Sequence, residues 1–207
     1  GSVGYYQTVN KTTPVAGDVK YVDRNGDGVV DDNDRDIIGN PNPDFTYGFQ
    51  TKVSWKSLSL SASFNGVQGR DILNVGNRYN NTPGTKSNNV TRKAFQNMWT
   101  DENPSNLYPK STFVVQNMVM DRYVEDGSYL RCSDITLSYV LPAKWTNKIG
   151  IKNTSVYASV KNAFVITDYS GYDPEVNSFA FDGLRPGVDM NSYPTPRSFV
   201  FGLNLTF

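Results

Sequence analysis

The residues best equipped to do chemistry form one short run, Asp23-Arg24-Asn25-Gly26-Asp27-Gly28-Val29-Val30-Asp31-Asp32-Asn33-Asp34. Read as a twelve-residue loop, it offers oxygen side chains at its first, third and fifth places, Asp23, Asn25 and Asp27, with Gly28 at the sharp turn. Val29 would add its backbone carbonyl, Asp31 would act directly or through water, and Asp34 would close the shell. Hard oxygen ligands at this alternation suit Ca2+, which takes about 6–8 oxygens at roughly 2.3–2.6 Å. The closing residue departs from the usual pattern: Asp34 is one methylene shorter than glutamate, so two-oxygen closure needs a tighter loop. Asp-Gly and Asn-Gly runs also make turns without any metal, and that alternative stands beside the calcium one. Such an ion would be structural, since no catalytic group accompanies it in the sequence.

Other chemistries are excluded by what is missing. The 207 residues contain no histidine and a single cysteine, Cys132. Histidine-based triads, His-ligated zinc, intramolecular disulfides and Cys-x-x-Cys sites are therefore unavailable within the chain. Twenty basic side chains balance twenty acidic ones, with no basic run to attract nucleic acid. The carboxylates Asp173 and Glu175 could in principle form a glycosidase pair, but they sit together in an Asp-Pro-Glu turn that reads as a solvated loop. The chain is expected not to be an enzyme.

Five segments alternate with the period of two that strands require. Near residues 44–56, Phe45, Tyr47, Phe49, Val53 and Trp55 alternate with polar neighbours, and near 57–70 Leu58, Leu60, Ala62 and Phe64 do the same. A tight reversal at Lys56-Ser57 makes these two a hairpin. A third strand is expected at 128–141, with Ile135, Leu137, Tyr139 and Leu141 on one face. Its parity breaks upstream of Asp134, which predicts a bulge or a wetter end. The fourth spans about 152–166, with Val156, Ala158, Val160 and Phe164 aligned, and the fifth 196–207, with Phe199, Phe201, Leu203, Leu205 and Phe207 aligned.

Connections alternate in length: 1–43, 71–127 and 167–195 are long, whereas 56–57 and 142–151 are short. In a meander this sorts long loops to one end and short turns to the other, the rule for outer-membrane barrels. Strands of about 10 residues, tilted by about 40°, cover roughly the 25 Å apolar band of such barrels. Phe45, Tyr47, Trp55, Tyr139 and Phe207 lie near strand ends, where aromatic girdles sit. The competing architecture is a soluble, calcium-dependent β-sandwich that binds carbohydrate, with its apolar face turned to a core. No run of about 18 apolar residues is present for a membrane helix, and the opening Gly1-Ser2-Val3-Gly4 has no signal-peptide pattern.

Several stretches together resemble the SusC/RagA family of TonB-dependent outer-membrane transporters of Bacteroidetes. They are Ile38-Gly39-Asn40-Pro41-Asn42-Pro43-Asp44-Phe45-Thr46-Tyr47-Gly48 after the acidic loop, Asp126-Gly127-Ser128-Tyr129-Leu130-Arg131, and Asp134-Ile135-Thr136-Leu137-Ser138-Tyr139. Further on come Lys161-Asn162-Ala163-Phe164-Val165-Ile166-Thr167-Asp168-Tyr169-Ser170-Gly171-Tyr172-Asp173-Pro174-Glu175-Val176 and the final run from Tyr193 to Phe207. Order and spacing over most of the chain make the match specific.

The resemblance implies an all-β fold, the C-terminal five antiparallel strands of a barrel of about 22 strands with a plug. Residues 1–43 would be an extracellular segment carrying the calcium-type loop, and 44–207 the barrel strands with long extracellular loops 71–127 and 167–195. The expected partners are the rest of the barrel and plug, TonB through a part outside this chain, a SusD-like lipoprotein, membrane lipid, and an oligosaccharide or peptide substrate. The location would be the outer membrane with the C-terminus periplasmic, and Phe207 resembles the terminal aromatic that assembly machinery recognises. Thr46, Gln50, Lys52, Ser59, Ser61, Ser63 and Asn204 would line the lumen. Trp99, Tyr108, Tyr169 and Tyr172 are loop aromatics that could meet substrate or lid.

Overall fold

The computed structural model describes residues 15–82, 89–111, 119–146, 151 and 153–206. Phe207 lies outside them, as do residues 1–14 of the first segment and parts of the long connections. The strands are β1 (Phe45–Trp55), β2 (Leu58–Gln68), β3 (Asp71–Asn74), β4 (Val124–Asp126), β5 (Tyr129–Val140), β6 (Asn153–Thr167), β7 (Val188–Asp189) and β8 (Ser198–Thr206). Three short helices join them, α1 (Val75–Asn81), α2 (Arg92–Asn97) and α3 (Ala143–Thr146). No helix among the described residues is long and apolar enough to cross a membrane. Two compact units result, one from Gly1–Gly39 with Asn74–Val124 and the other from Asn40–Leu73 with Glu125–Phe207.

The second unit is built on a five-stranded antiparallel sheet in the order β1-β2-β5-β6-β8. Its hairpin turn is tight: Trp55 pairs with Leu58, and Lys56 takes the left-handed φ of 54° that a two-residue reversal demands. The register sorts side chains cleanly by face. Val53, Leu60, Leu137, Ala158 and Phe201 form one cross-strand row, and Trp55, Leu58, Tyr139, Val156 and Leu203 another. On the opposite face lie the rows Lys52-Ser61-Thr136-Ser159-Val200 and Ser54-Ser59-Ser138-Tyr157-Gly202.

The apolar face is open. Phe201 is 78% exposed, Trp55 68% and Leu60 46%, so among the described residues no second sheet covers them as a sandwich would require. Leaving such a side chain in water forfeits about 1.5–3 kcal/mol of burial each. A whole face of them is stable only against an apolar surrounding. One place on that face is closed by the protein itself: Cys132 is fully buried in the row Phe49-Phe64-Cys132-Phe164. Phe49 stacks on Phe64 at 4.6 Å, and Phe164 meets Phe64 edge-on at 6.4 Å.

The alternation breaks where the parity of the sequence breaks. Ser63 pairs with Asp134 but Phe64 pairs with Cys132, leaving Ser133 as an extra residue on β5. A matching irregularity on β6 separates Lys161 from Phe164, and Asn162 there adopts φ 51°. This is a β-bulge, and it turns Arg131 and Tyr129 onto the polar face.

The long connections hold structure that period-two reading does not detect. Strands β3, β4 and β7 form a small three-stranded sheet in the order β4-β3-β7. It is centred on Ile72, which is fully buried against Tyr169 and Val176. In the other unit, Asn74 and Thr91 cap the helices: Asn77 N–H donates to Asn74 Oδ1 at 2.8 Å, and Ala94 N–H to Thr91 Oγ1 at 3.1 Å.

Candidate functional site

The polar face of the sheet carries a charged centre just beside the bulge. Asp134 accepts from Lys161 Nζ at 2.6 Å, from Ser159 Oγ at 2.8 Å and from Thr136 Oγ1 at 2.8 Å. Cross-strand hydroxyl pairs continue the pattern, Ser54 with Ser59 at 2.9 Å and Thr136 with Ser159 at 2.9 Å. Gln50, Lys52, Ser59, Ser61, Ser63 and Asn204 all belong to this face by register. It is a hydrophilic wall whose donors and acceptors are spaced at strand intervals, suited to water and polar solutes rather than to hydrocarbon. Tyr157 lies flat across Gly202, where a Cβ would come within 2.2 Å of the ring.

Beyond the bulge, segment 172–176 folds onto the same face. Arg131 Nη2 donates to Asp173 Oδ1 at 2.5 Å, and its Nε lies 3.0 Å from Glu175 Oε2. Glu175 Oε1 also accepts from Tyr129 Oη at 2.6 Å and from Asn65 Nδ2 at 3.0 Å. Arg70 Nη2 holds the Pro174 carbonyl at 2.7 Å, and Pro174 is fully buried. Burial alone would raise the Asp173 carboxyl. The backbone N–H of Glu175, the hydrogen bond from Thr195 and the Arg131 charge outweigh it and hold the group below the usual carboxylate range.

These contacts correct two expectations. The Asp-Pro-Glu turn is not a freely solvated loop but a clamp with Asp173 and Pro174 buried and Glu175 at its exposed edge, because its carboxylates are tied to Arg131, Tyr129 and Asn65. Both carboxylates are thereby engaged, sharing the one Arg131 guanidinium. Tyr169 is likewise not a displayed aromatic: its hydroxyl donates to Asp189 Oδ2 at 2.7 Å and its ring is core. Burial and that hydrogen bond push its phenol well above the ordinary tyrosine range. Tyr172, by contrast, is 73% exposed.

The acidic loop is organised by stepwise hydrogen bonds. Asp23 is buried and accepts from Gly26 N–H at 2.6 Å and Gly28 N–H at 2.9 Å. Asn25 Oδ1 accepts from Asp27 N–H at 2.9 Å, and Asp27 Oδ1 from Val29 N–H at 2.8 Å. Asp34 bridges back to Arg24 N–H at 2.7 Å and to Asp31 N–H at 2.8 Å. The Asp31 N–H bond leads the effects that lower the Asp34 carboxyl. Asp31 itself caps the 3-10 turn Asp32–Asp34 through Asn33 N–H at 2.7 Å. Among the described residues no three acidic, histidine or cysteine groups converge as a ready-made metal cage. The loop therefore brings Asp23, Asn25, Asp27 and Asp34 into one hydrogen-bonded turn, with Asp31 engaged in the capping contact.

A sheet with one open apolar face and one hydrophilic face is a segment of β-barrel wall. Solved structures agree. The chain superposes on the RagAB peptide transporter with a TM-score of 0.68 at 30% identity, covering 80% of this chain and 17% of that one. It superposes on the closed-closed state of the RagAB peptide importer with a TM-score of 0.67 at 28% identity, covering 83% and 18%. No family model matches. Among curated proteins, TonB-dependent receptor P26 of Formosa agariphila is 35% identical over 201 residues, 93% of this chain and 20% of the relative. TonB-dependent receptor SusC of Bacteroides thetaiotaomicron is 34% identical over 194 residues, 90% and 17%. By sequence and by fold the chain belongs to the SusC/RagA family of TonB-dependent transporters. It spans about a fifth of the length of the curated relatives it matches. The relatives bear the names of receptors and importers, not of enzymes.

Proposed function

We propose that this chain forms part of the wall of an outer-membrane, TonB-dependent nutrient importer. Its apolar face meets lipid and its polar face lines the lumen; the long connections 71–127 and 167–195 face the cell exterior, and the C-terminus faces the periplasm. The imported nutrient is an oligosaccharide or peptide, delivered with the help of a SusD-like surface lipoprotein. The observation that carries this reading is the open apolar face, opposed across the same strands by rows of serine, threonine, aspartate and lysine. A sandwich-forming binding module would have to bury that face.

The loop 23–34 is proposed to hold a structural Ca2+. Its donors are hard oxygens, and Asp23, Asn25, Asp27 and Asp34, with the Val29 carbonyl and Asp31, would supply them. When bound, the ion would neutralise the clustered carboxylates and fix the loop.

The test uses the full-length protein. It should fractionate with outer membranes, migrate as a heat-modifiable barrel, and support uptake of labelled oligosaccharides or peptides that stops when the proton gradient is collapsed. A water-soluble protein that needs no detergent, or uptake indifferent to the gradient, would overturn the reading.

A further inference from the structure

The first unit contains a cavity of about 150 Å3 between α1, α2 and the segment that leads to Tyr123. Its lining includes two cations, Lys93 and Arg122, two amides, Asn77 and Asn81, and two tyrosines, Tyr108 and Tyr123, with no acidic residue. Three other cations of this unit meet carboxylates: Lys110 lies 3.0 Å from Asp18, Arg35 lies 2.8 Å from Asp32, and Arg24 pairs with Asp36. Among the described residues, Arg122 and Lys93 have no such partner. A local excess of positive charge in a concave, aromatic-sided site is what an anionic ligand requires.

Arg122 is also held in place before any ligand arrives. One Nη2 hydrogen bond goes to the Leu107 carbonyl at 2.8 Å, a neutral acceptor. Its guanidinium carbon stands 5.8 Å from the Tyr108 ring centre and 5.5 Å from that of Tyr123. Tyr123 is buried, and its hydroxyl meets Thr82 Oγ1 at 3.4 Å, so it is a fixed support. A guanidinium fixed by one bond keeps further N–H groups for a second acceptor, and its planar fork matches a carboxylate.

We infer that this cavity binds a carboxylate of the imported oligomer, with Arg122 as the fork and Lys93 as the second charge. The inference rests on the import reading above and names a substrate class for it: an acidic oligosaccharide or an acidic peptide. Oligomers of that kind carry carboxylates as uronic acids, as Asp or Glu side chains, or at a peptide C-terminus.

The experiment measures binding to the purified full-length transporter by calorimetry, using tetragalacturonate, tetraglutamate and the neutral maltotetraose and tetraserine as probes. At least one acidic probe should bind more tightly than its neutral counterpart, and whichever does so identifies the source of the carboxylate. Arg122→Gln and Lys93→Gln should each weaken that probe by roughly tenfold or more, the scale of one lost charge-assisted bond, and leave the neutral probes unchanged. Acidic probes that bind no better than neutral ones, or equally well to wild type and to both variants, would overturn the inference. Lys93→Gln on the exposed face of α2 keeps the test open if Arg122→Gln fails to fold. Heat-modifiable barrel migration is scored on the same preparations, so a failed carboxylate site is distinguished from a failed transporter assignment.

Discussion

Arg131 and Asp173, 42 residues apart in sequence, meet at 2.5 Å with both side chains less than one-tenth exposed. The pair fastens segment 172–176 to the end of β5. Removing one partner strands the other charge in a buried place, which costs about 3–5 kcal/mol. Arg131→Met should therefore release residues 168–196 while the sheet survives. Hydrogen–deuterium exchange of the full-length protein should show faster exchange confined to that stretch, whereas unchanged protection would refute the clamp.

The same clamp should respond to acid. Asp173 titrates below its usual range, so the unfolded or undocked segment binds the proton more readily. Docking is then fully stabilised above the free carboxylate value of about 3.9 and is lost as pH falls through the lower docked value. Limited proteolysis of segment 168–196 should be equally slow at pH 7 and pH 5 and accelerate only below about pH 4. Release between pH 7 and pH 5 would contradict the assignment.

Leu203 and Asn204 are neighbours on β8 that face opposite ways, paired with Val156 and Ser155. If the apolar face meets lipid, Leu203→Arg costs roughly 2–4 kcal/mol near the midplane and impairs assembly. Asn204→Arg, on the polar face, should assemble normally. Quantifying folded, heat-modifiable protein in outer membranes checks both, and the reverse ranking would invert the proposed orientation of the sheet.

Calcium at residues 23–34 can be tested by removing one donor. Asp27→Ala should lower the metal content of the purified full-length protein by one equivalent and increase protease cleavage within the loop. Chelation of the wild type should reproduce the cleavage. Equal calcium content in wild type and variant would leave the loop as a turn held by the Asp23, Asn25 and Asp34 hydrogen bonds alone.

The five long strands are legible in the sequence because a sheet with unlike faces writes a period of two into every strand, and the bulge is legible as the break at Asp134. The clamp is not. Asp173-Pro174-Glu175 looks like a turn, and nothing local indicates that Arg131 will reach it across the sheet. Strands β3, β4 and β7 are too short to carry a period, and their pairing is fixed by Ile72, Tyr169 and Val176 closing around one another. The cavity near Arg122 escaped for a related reason. Its cations come from α2 and from the segment before β4, and only the fold reveals that they lack carboxylate partners among the described residues.

Ser133 has a consequence out of proportion to its size. As the extra residue of the bulge, it sets the phase of everything before it on β5. Drawing it into the ladder as a paired residue would rotate Tyr129–Cys132 half a turn, aiming the Arg131 guanidinium at the apolar face and the Leu130 side chain at the polar one, whereas deleting it would leave both faces as they are. The strand thus keeps its two faces in step by holding a single serine out of the ladder, and an insertion or deletion at a paired position upstream would do more harm than the loss of that serine.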